Sequence, residues 1–495
     1  MRRDGAYLGC VQHFDHFIGG RFEPSADGRR MEVEEPASGG VYASLAAGGV
    51  ADVDRAIAAA HGALEDWGRA GAESRAACLD RLADLVKRDA EALARAESVD
   101  SGKPISLARS VEIPRAQTNL RFFAQQVRRW NEQVLTLESG ARSRVLRRPL
   151  GVAACISPWN LPLYLFTWKI APALAAGCTV VAKPSEVTPA TATMLAALAQ
   201  EAGFPAGVLN VVHGRGAETG AALVAHPGIA AITFTGGTTT GEQIARDAAP
   251  RFRRLSLELG GKNAAIVFAD AAEQSLDTLV RASFQNQGQI CLCASRLLVE
   301  RCAFESLTRA FVGRVRALRL GDPLDESTEQ GALVSAAHLA KVESAVTRAR
   351  AEGGKLECGG RRPSELPTRC SGGYFFEPTV FTGLGPDCVT NQEEIFGPVV
   401  SIMPFDSEDE AVAIANGTRY GLAASVFCAD SGRANRVAAR LDVGTVWVNC
   451  WLVRDLRAPF GGWKDSGVGR EGGDDALRFF AESTTVCELA GAARA

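Results

Sequence analysis

The sequence predicts an α/β protein with two lobes, each built on a parallel sheet, and a cleft between them. The chain has 495 residues, too many for one small core. Its composition of 46% hydrophobic and 22% charged residues, with 51 glycines, is typical of α/β chains. From residue 150 onward, short β-rich runs alternate with helical runs, a pattern that predicts parallel strands joined by helical crossovers.

Helices are predicted between residues 50 and 130. The stretches VADVDRAIAAAHGALEDW (50–67) and SRAACLDRLADLVKRDAEALARAES (74–98) carry apolar residues at positions i, i+3, i+4 and i+7. Because this is the period of one helix face, the segment is predicted to be helical.

The first alternating series predicts a parallel sheet that binds a ligand at the carboxyl ends of its strands. The predicted strands are 152–156, 178–185, 209–214, 231–237 and 254–259. The helices predicted between them are 189–203, 217–227 and 238–249.

A second series begins near Gly261 and predicts the second lobe. Its runs are 263–270, 295–300, a helix over 304–319, and then 399–405, 411–417, 423–428 and 444–449. The Gly/Pro-rich run over 353–373 is predicted to be a surface loop.

The overall charge and the cysteines exclude several classes of protein. A net charge of -3 and a pI near 6.2 give no reason to expect binding to nucleic acid or to an anionic membrane surface. The 13 cysteines are odd in number and include no C-x-x-C pair, so we expect neither a disulfide framework nor a metal site. A reducing compartment fits this cysteine usage, and we expect the cytoplasm.

No segment is predicted to be a signal peptide or a membrane anchor. The first 16 residues contain no apolar run behind Arg2 and Arg3. A long uncharged and mainly apolar stretch, residues 150–168, contains Pro158 and Pro162, which would break a spanning helix.

Seven short motifs carry the candidate chemistry. They are ISPWNLP (156–162), KPSE (183–186), FTGGTTTG (234–241), LELGGK (257–262), NQGQIC (286–291), EEIFGP (393–398) and PFGGWKDSGVGRE (459–471). Singly, most of these motifs are weak evidence for a function. The glycine loop at 234–241, for example, fits either phosphate binding or a tight turn. Together, in this order and over nearly the whole chain, they resemble the aldehyde dehydrogenase superfamily.

The resemblance implies a Rossmann-like NAD-binding lobe, an α/β catalytic lobe and a small β oligomerisation element. We expect the NAD-binding domain over 1–126 and 150–260, and the catalytic domain over 261–474. The oligomerisation element would be a hairpin over 127–149 joined by the C-terminal tail, 475–495. The protein is then expected to be a homodimer or a homotetramer.

The resemblance also implies that Cys291 is the nucleophile and that Cys293 is a neighbour without a chemical role. A thiolate that adds to an aldehyde gives a tetrahedral oxyanion and, after hydride removal, a thioester that water hydrolyses. The Asn160 side-chain amide and the Cys291 backbone N–H are the expected oxyanion donors. Alternatively, Asn160 only forms a turn and takes no part in the chemistry.

A carboxylate is expected to activate water, because the run FQNQGQICLCASR (284–296) contains no histidine. Glu258 matches the family's general base, and a partly apolar cleft would raise its pKa toward neutral. Lys169 and Glu471 match a second proton-relay pair, and an ordinary surface ion pair is the alternative for these two.

The expected cofactor is NAD. Gly236, Gly237 and Gly241 would let the backbone approach the pyrophosphate at a helix N-terminus. Lys183 and Glu186 resemble adenosine-ribose contacts, and a carboxylate there favours NAD over NADP. The remaining cofactor residues implied by the match are Ile156, Ser157, Trp159, Leu259, Glu394 and Phe396, of which Glu394 and Phe396 resemble nicotinamide-ribose contacts.

The substrate is expected to be a small acidic aldehyde. The positions that line the substrate tunnel in the family match Arg115, Trp168 and Arg454. The stretch NCWLVRDLRAPFGG (449–462) resembles the 2-aminomuconate and 2-hydroxymuconate semialdehyde dehydrogenase branch, and arginine can pair both oxygens of a carboxylate. Alternatively, either arginine is a surface residue or an internal salt-bridge partner.

Other functions remain open on the sequence alone. One is a general aliphatic or aromatic aldehyde dehydrogenase. Another is a CoA-acylating dehydrogenase, against which Glu258 argues because a thiol rather than water would finish that reaction. A third is a catalytically idle binding or structural protein, which would be expected to lose Cys291 or Glu258.

Overall fold

The structure, a computed structural model, describes residues 12–489. Residues 1–11, most of the stretch predicted to lack a signal peptide, lie outside the described part. So do residues 490–495, the end of the predicted oligomerisation element. Within the described residues, no helix combines the length and the apolar character needed to cross a membrane.

The described chain folds into alternating helices and strands. The helices are α1 (Val50–Arg69), α2 (Ala72–Arg88), α3 (Ala90–Ser101), α4 (Ile105–Leu107), α5 (Ile113–Arg128), α6 (Pro162–Ala176), α7 (Ala190–Glu201), α8 (Ala221–Ala225), α9 (Thr238–Ala248), α10 (Ala272–Phe284), α11 (Arg301–Arg316), α12 (Ala336–Ala351), α13 (Val389–Gln392), α14 (Glu408–Asn416), α15 (Ser431–Ala438) and α16 (Gly473–Phe479). The strands are β1 (Gln12–Phe14), β2 (His16–Ile18), β3 (Arg21–Glu23), β4 (Arg30–Glu35), β5 (Gly40–Ala46), β6 (Gln133–Thr136), β7 (Ala141–Pro149), β8 (Val152–Ile156), β9 (Thr179–Lys183), β10 (Leu209–Val211), β11 (Ala231–Thr235), β12 (Arg254–Glu258), β13 (Ala264–Val267), β14 (Arg296–Glu300), β15 (Lys355–Cys358), β16 (Thr379–Thr382), β17 (Val399–Phe405), β18 (Tyr420–Gly421), β19 (Ala423–Phe427), β20 (Thr445–Val448), β21 (Trp463–Lys464), β22 (Gly467–Val468) and β23 (Ala481–Leu489).

The predicted helical region at 50–130 is confirmed, with one difference in detail. The stretch 74–98 is two helices, because α2 ends and α3 begins at Asp89. The apolar faces of these helices are buried in the same core as α6, which lies between β8 and β9 in the chain. Fourteen of the fifteen residues of α6 are buried, so this helix is surrounded on all sides.

The first predicted lobe contains an eight-stranded sheet in the order β22-β12-β11-β8-β9-β10-β2-β3. Its five central strands, from β12 to β10, are parallel, as the alternating series predicted. The outer strands β22, β2 and β3 are antiparallel to their neighbours. Both faces of β8 and β9 are buried, which explains why these strands are continuous apolar runs in the sequence.

The second predicted lobe contains a seven-stranded sheet in the order β15-β16-β17-β14-β13-β19-β20. Six of its strands are parallel, and β15 is an antiparallel edge strand. The prediction that 353–373 is a surface loop throughout was wrong, because it contains β15 and a short 3-10 turn at Thr368–Cys370. Pairing with β16 over four residues imposes the strand, and a local sequence pattern cannot show such a tertiary partner.

Three small sheets complete the fold. One of them is β23-β7-β6, in which the hairpin β6-β7 is joined by the C-terminal strand. Strand β23 pairs with β7 from Ala481, opposite Pro149, to Leu489, opposite Ala141. Val134, Leu135 and Leu489 of this sheet are exposed large hydrophobic side chains. The other two sheets are β1-β5-β4 and β18-β21.

Candidate active site

Cys291 lies in a tightly built loop between α10 and β14. The backbone is left-handed at Asn286, Gln287 and Gly288, with φ of 54°, 56° and 69°. A Cβ at Gly288 would collide with the carbonyl of Gly397, so glycine is required there. The Nδ2 atom of Asn263 donates to the carbonyl of Cys291 over 2.6 Å, and this bond ties the loop to the second sheet.

The two cysteines of the loop have different surroundings. Cys291 is half-buried, and burial raises the pKa of its thiol far above its usual range. The negative charges of Glu258 and Glu394 act in the same direction, and Arg454 opposes them. Cys293 is buried, and its Sγ lies 3.8 Å from the carbonyl of Gln285. The resting Cys291 thiol is therefore protonated, and its proton must leave as the sulfur attacks.

Glu258 ends β12 with its side chain 5% exposed. Burial raises its pKa well above the usual range, and the negative charge of Glu471 adds to the effect. The cations Lys169 and Arg454 oppose it only in part. The Oε1 atom is buried and has no hydrogen-bond partner among the described residues. Burial therefore favours the neutral form of this carboxyl group up to a higher pH than is usual for glutamate, and its Oε1 can still take a new hydrogen bond.

Lys169 and Glu471 form a buried ion pair, with 2.8 Å between Nζ and Oε1. The Glu471 Oε1 atom also accepts from the hydroxyl groups of Thr233 and Ser256. Lys169 is 1% exposed and Glu471 is 7% exposed, so the pair is not an ordinary surface ion pair. The structure thus places a hydrogen-bonded ion pair close enough to Glu258 to affect its pKa. The charge of Glu471 raises that pKa and the charge of Lys169 lowers it.

Asn160 is buried at the start of α6, 3% exposed. Its Nδ2 donates to the carbonyl of Gln289, two residues before Cys291, over 2.9 Å. An amide nitrogen carries two hydrogens, so one N–H remains for a further acceptor. The Asn160 Oδ1 atom is buried without a partner in the described chain. Asn160 therefore links the start of α6 to the Cys291 loop, which a residue serving only a turn would not do.

The glycines of the 234–241 loop have separate uses. Gly237 is the N-cap of α9, and a Cβ there would meet nothing within 4 Å, so the helix N-terminus is open. Gly236 packs against the ring of Phe234, and Gly241 packs against Leu259. Of these three glycines, only Gly237 therefore borders open space, while Gly241 permits close packing of α9 on the segment after β12.

Lys183 and Glu186 lie together at the end of β9. Their Nζ and Oε2 atoms are 3.0 Å apart, and Glu186 Oε1 accepts from the backbone N–H of Gly216. Burial acts to raise the pKa of Glu186, but Lys183 and the hydrogen bonds outweigh it and leave the pKa lowered. Glu186 is therefore an ionised carboxylate just beyond the carboxyl end of β9.

The other expected cofactor residues surround the same cleft. The ring of Trp159 lies edge-on to Phe396, with centroids 5.3 Å apart. Glu394 Oε1 accepts from the backbone N–H of Gly261 over 2.9 Å, which anchors it on the segment after β12. Ile156 ends β8 beside Lys183, the backbone N–H of Ser157 donates to the Lys183 carbonyl, and Leu259 donates its N–H to Ser466. The Ser157 hydroxyl is buried without a partner in the described residues.

Arg454 lies between two aromatic rings. Its guanidinium carbon is 4.7 Å from the Trp168 ring centre and 3.7 Å from that of Phe460. Its Nη1 donates to the hydroxyl of Tyr164 over 3.1 Å. The Nε and Nη2 atoms are buried and have no acceptor in the part of the chain that the structure describes. Arg454 is therefore neither a solvated surface residue nor a salt-bridge partner within the described chain.

Arg115 also contacts Tyr164, with its guanidinium carbon 5.6 Å from the ring centre. Both arginines line an open groove of about 630 Å³ between α5 and the segment 453–457. Trp168 is 2% exposed and packs on Phe123, so its ring is held in place against Arg454.

Comparison with known proteins decides the family. The pattern of the aldehyde dehydrogenase family matches residues 22–486. The chain belongs to the aldehyde dehydrogenase family. Its fold, which contains two large sheets built mainly of parallel strands, is the fold of solved aldehyde dehydrogenases.

Curated relatives of this aldehyde dehydrogenase match over nearly the whole chain. A protein of Danio rerio named 2-aminomuconic semialdehyde dehydrogenase is 48% identical, over 98% of this chain and 99% of the relative. A protein of Pseudomonas sp. (strain CF600) named 2-hydroxymuconic semialdehyde dehydrogenase is 46% identical, over 96% and 99%. Betaine aldehyde dehydrogenase from Staphylococcus aureus, solved in complex with NAD+, is 37% identical with a TM-score of 0.93, and the match covers 97% of this chain and 95% of that one.

Sequence reasoning missed three side chains that build the site of this aldehyde dehydrogenase. Tyr164 and Phe460 hold Arg454, and Asn263 holds the Cys291 loop. A helical signal for Tyr164 was available, because it precedes Trp168 by four residues and so shares a helix face with it. Phe460 and Asn263 lie in or beside recognised motifs, but their contacts come from distant segments and no local pattern shows them.

Proposed function

We propose that the protein oxidises a carboxylate-bearing semialdehyde of the muconate type to the corresponding acid, with NAD as the hydride acceptor. The observation that carries this proposal is Arg454, whose guanidinium packs among aromatic rings and whose Nε and Nη2 are buried without a partner among the described residues. A buried cation without an acceptor is costly, and a substrate carboxylate supplies two acceptor oxygens in the matching geometry.

Arg115 supports the same substrate class. It lies in the groove that leads to Arg454, and its guanidinium rests on the Tyr164 ring that Arg454 also contacts. Two guanidinium groups along one groove attract anionic substrates and disfavour cationic ones. The names of the relatives from Danio rerio and Pseudomonas fit this class, since muconic semialdehydes carry a carboxylate.

The residues of the cofactor cleft fit a dinucleotide. The open N-terminus of α9 at Gly237 suits a pyrophosphate, and the unpartnered hydroxyl of Ser157 can bond to it or to a ribose. The ionised Glu186 suits ribose hydroxyl groups and repels a 2′-phosphate, which favours NAD. When bound, NAD accepts a hydride from the aldehyde carbon.

The chemistry on the protein side begins at Cys291. The thiol proton passes to water as the sulfur adds to the aldehyde carbon, and the negative charge that develops on oxygen is met by the free N–H of Asn160 and the backbone N–H of Cys291. Oxidation of that carbon leaves a thioester on Cys291. The apolar and aromatic surroundings of Trp168 and Phe460 exclude water from the tunnel during this step.

Glu258 then activates the water that hydrolyses the thioester. Its raised pKa makes the carboxylate a stronger base than an ordinary glutamate, and its Oε1, which has no partner among the described residues, can accept a hydrogen bond from water. The buried pair Lys169 and Glu471 lies close enough to influence that pKa and is the route by which the proton leaves.

The domain division predicted from the sequence becomes part of the proposal. Residues 1–126 and 150–260 form the NAD-binding domain, and residues 261–474 form the catalytic domain. The sheet β23-β7-β6 is the oligomerisation element of a homodimer or homotetramer, and its exposed apolar side chains support that role. We place the protein in the cytoplasm.

A substrate panel tests the proposed function. Purified protein is assayed by NADH absorbance with 2-hydroxymuconate semialdehyde, with another ω-carboxy aldehyde, and with a neutral aldehyde of equal length, with and without CoA. We expect the highest kcat/KM for the carboxylate-bearing aldehydes, independence of CoA, and free acid as the product. Equal kcat/KM for charged and neutral aldehydes would remove the acidic-substrate proposal, and a requirement for CoA would remove hydrolysis by Glu258.

A further inference from the structure

Four charged side chains are buried together behind the start of α6. They are Glu97, Asp100, Lys103 and Glu112, and none is more than 1% exposed. Buried charges persist where they are paired with each other and with hydrogen-bonding groups. The proposed reaction gives none of these four residues a task, so their arrangement needs its own explanation.

Lys103 is the centre of this cluster. Its Nζ donates to Glu112 Oε2 over 3.1 Å and to Glu97 Oε1 over 3.3 Å. The third contact is to the backbone carbonyl of Asn160, at 3.1 Å. An ammonium group has three N–H donors, and these three contacts use all of them.

The two carboxylates also cap α6. Glu97 Oε1 accepts from the backbone N–H of Leu163 over 3.4 Å, and Glu112 Oε1 accepts from that of Tyr164 over 3.2 Å. These are first-turn amides that have no acceptor within the helix, and the residue before the helix makes no side-chain cap. The cluster therefore joins the N-terminus of α6 to the residue that precedes it by two positions, Asn160.

The position of Lys103 is itself defined by the Cys291 loop. Gly102 has a φ of 74°, which turns the chain between α3 and Lys103, and its carbonyl accepts from Gln287 Nε2 over 3.1 Å. The Asn160 carbonyl accepts from a second member of the same loop, Asn286 Nδ2, over 3.0 Å. Lys103 thus bridges the segment that carries the Asn160 amide and the loop that carries Cys291.

From these contacts we infer that Lys103 is a positioning residue for the oxyanion site: it holds the Asn160 backbone so that the side-chain amide faces the aldehyde oxygen on Cys291. The inference rests on the proposed role of Asn160 as an oxyanion donor. A small displacement of a preorganised donor lowers the stabilisation of the developing charge while leaving the fold in place.

A double-mutant cycle tests this role. The variants are Lys103→Met, Asn160→Ala and the double variant, assayed for kcat/KM with aldehyde and NAD. We expect Asn160→Ala to lose ~10²–10³-fold, as for removal of an oxyanion donor. Lys103→Met alone is expected to lower kcat/KM by ~10–100-fold. Added to Asn160→Ala, it should lower kcat/KM by less than about 3-fold more. Additive losses would overturn the inference, because Lys103 would then act independently of Asn160.

A second measurement does not depend on the cofactor. Acylation of Cys291 by p-nitrophenyl acetate passes through an oxyanion at the same place, so Lys103→Met should slow the release of nitrophenol by a similar factor. Alkylation of the same thiol by iodoacetamide forms no oxyanion and should be unchanged. Equal slowing of both reactions would mean a damaged loop and would contradict the positioning role.

Two further variants separate positioning from general damage. Asp100→Asn disturbs the same cluster through its bonds to Tyr42 and Ala190, which do not reach α6, and should lower stability while kcat/KM stays within about 2-fold. If Lys103→Met does not fold, Lys103→Met/Glu112→Gln removes the unpaired carboxylate as well and is used in the same cycle. If Asn160→Ala leaves kcat/KM unchanged, the oxyanion role of Asn160 is refuted. If Asn160→Ala lowers kcat/KM but the Lys103 variant keeps the native value, only the positioning role of Lys103 is refuted.

Discussion

Arg454 and Tyr164 are joined by a hydrogen bond of 3.1 Å from the guanidinium Nη1 to the phenol oxygen. This bond uses Nη1 and leaves Nε and Nη2 buried without an acceptor among the described residues. Tyr164 and Trp168 stand one turn apart on α6, so a single rigid helix presents both the hydroxyl and the ring that hold Arg454. The proposed substrate contact at Arg454 and the proposed oxyanion donor Asn160 therefore both depend on α6 or on the residues just before it.

The nucleophile is tested with the two neighbouring cysteines. Cys291→Ala should abolish aldehyde oxidation and leave NAD binding nearly intact, because the thiol acts in the chemistry and not in cofactor capture. Cys293→Ala is the matched control, since Cys293 is buried in the core with its Sγ 3.8 Å from the Gln285 carbonyl, and it should be close to neutral in activity. NADH formation and NAD binding by fluorescence quenching check both. An active Cys291→Ala beside an inactive Cys293→Ala would reverse the assignment.

Glu258→Gln should stop the reaction at the thioester. Loss of a general base lowers turnover by ~10²–10⁴-fold, while the first hydride transfer proceeds. Mass spectrometry of the intact protein after mixing with aldehyde and NAD should then show an acyl group on Cys291. If no adduct forms and the first burst of NADH is slow, Glu258 acts before the thioester and not after it.

The raised pKa of Glu258 also predicts a dependence of stability on pH. When folding raises the pKa of an acid, that acid stabilises the folded state. The stabilisation is complete at a pH below the pKa of the unfolded state, and it is lost as the pH rises through the pKa of the folded state. The variant Glu258→Gln cannot ionise and keeps a similar shape. Its free energy of unfolding relative to the native protein should therefore rise as the pH increases above about 4.5, the ordinary glutamate value. Urea titrations at several pH values measure this, and a difference that does not change with pH would contradict the raised pKa.

Glu186 should determine the choice of cofactor. Its carboxylate is ionised and tied to Lys183, and a 2′-phosphate at the same place would meet its negative charge. Glu186→Gln keeps the size and removes the charge, so it should narrow the preference for NAD over NADP. The ratio of the two kcat/KM values is the measurement. A native protein that used NADP better than NAD would show that Glu186 does not face the ribose.

Much of the fold could be predicted because its parallel strands are buried on both faces and its helices are amphipathic. β8 and β9 are continuous apolar runs for this reason, and α1 and α2 show the helical period. Edge strand β15 could not be predicted, since its four residues gain their conformation from pairing with β16.

Within the site, motif order locates Cys291 and Glu258 but not the side chains that hold them in position. Lys103 and Asn160 are 57 residues apart, and Arg454 and Tyr164 are 290 apart. Local patterns carry no information on contacts at such separations. The burial of Lys169 and Glu471 was likewise outside the reach of the sequence, because a charged pair is more often solvated than enclosed.

The arginines give the sharpest test of the substrate class. If Arg454 pairs with a substrate carboxylate, its charge-assisted hydrogen bonds contribute roughly 1.5–3 kcal/mol, and Arg454→Ala should lower kcat/KM about 10–100-fold for ω-carboxy aldehydes. Arg115→Ala should show the same selectivity. Tyr164→Phe keeps the ring under Arg115 and removes only the hydroxyl that orients Arg454, so it should cost less than Arg454→Ala on the same substrates.

The control for all three variants is a neutral aldehyde of similar length. It offers nothing for a guanidinium to bind, so its kcat/KM should change little in any of them. With Arg454→Ala it should even improve, because an unpaired buried cation no longer lies in the tunnel. Equal losses on charged and neutral aldehydes would mean that the arginines support the fold of the tunnel and do not bind substrate. The acidic-substrate proposal would then fall, and aldehyde oxidation through Cys291 would stand without it.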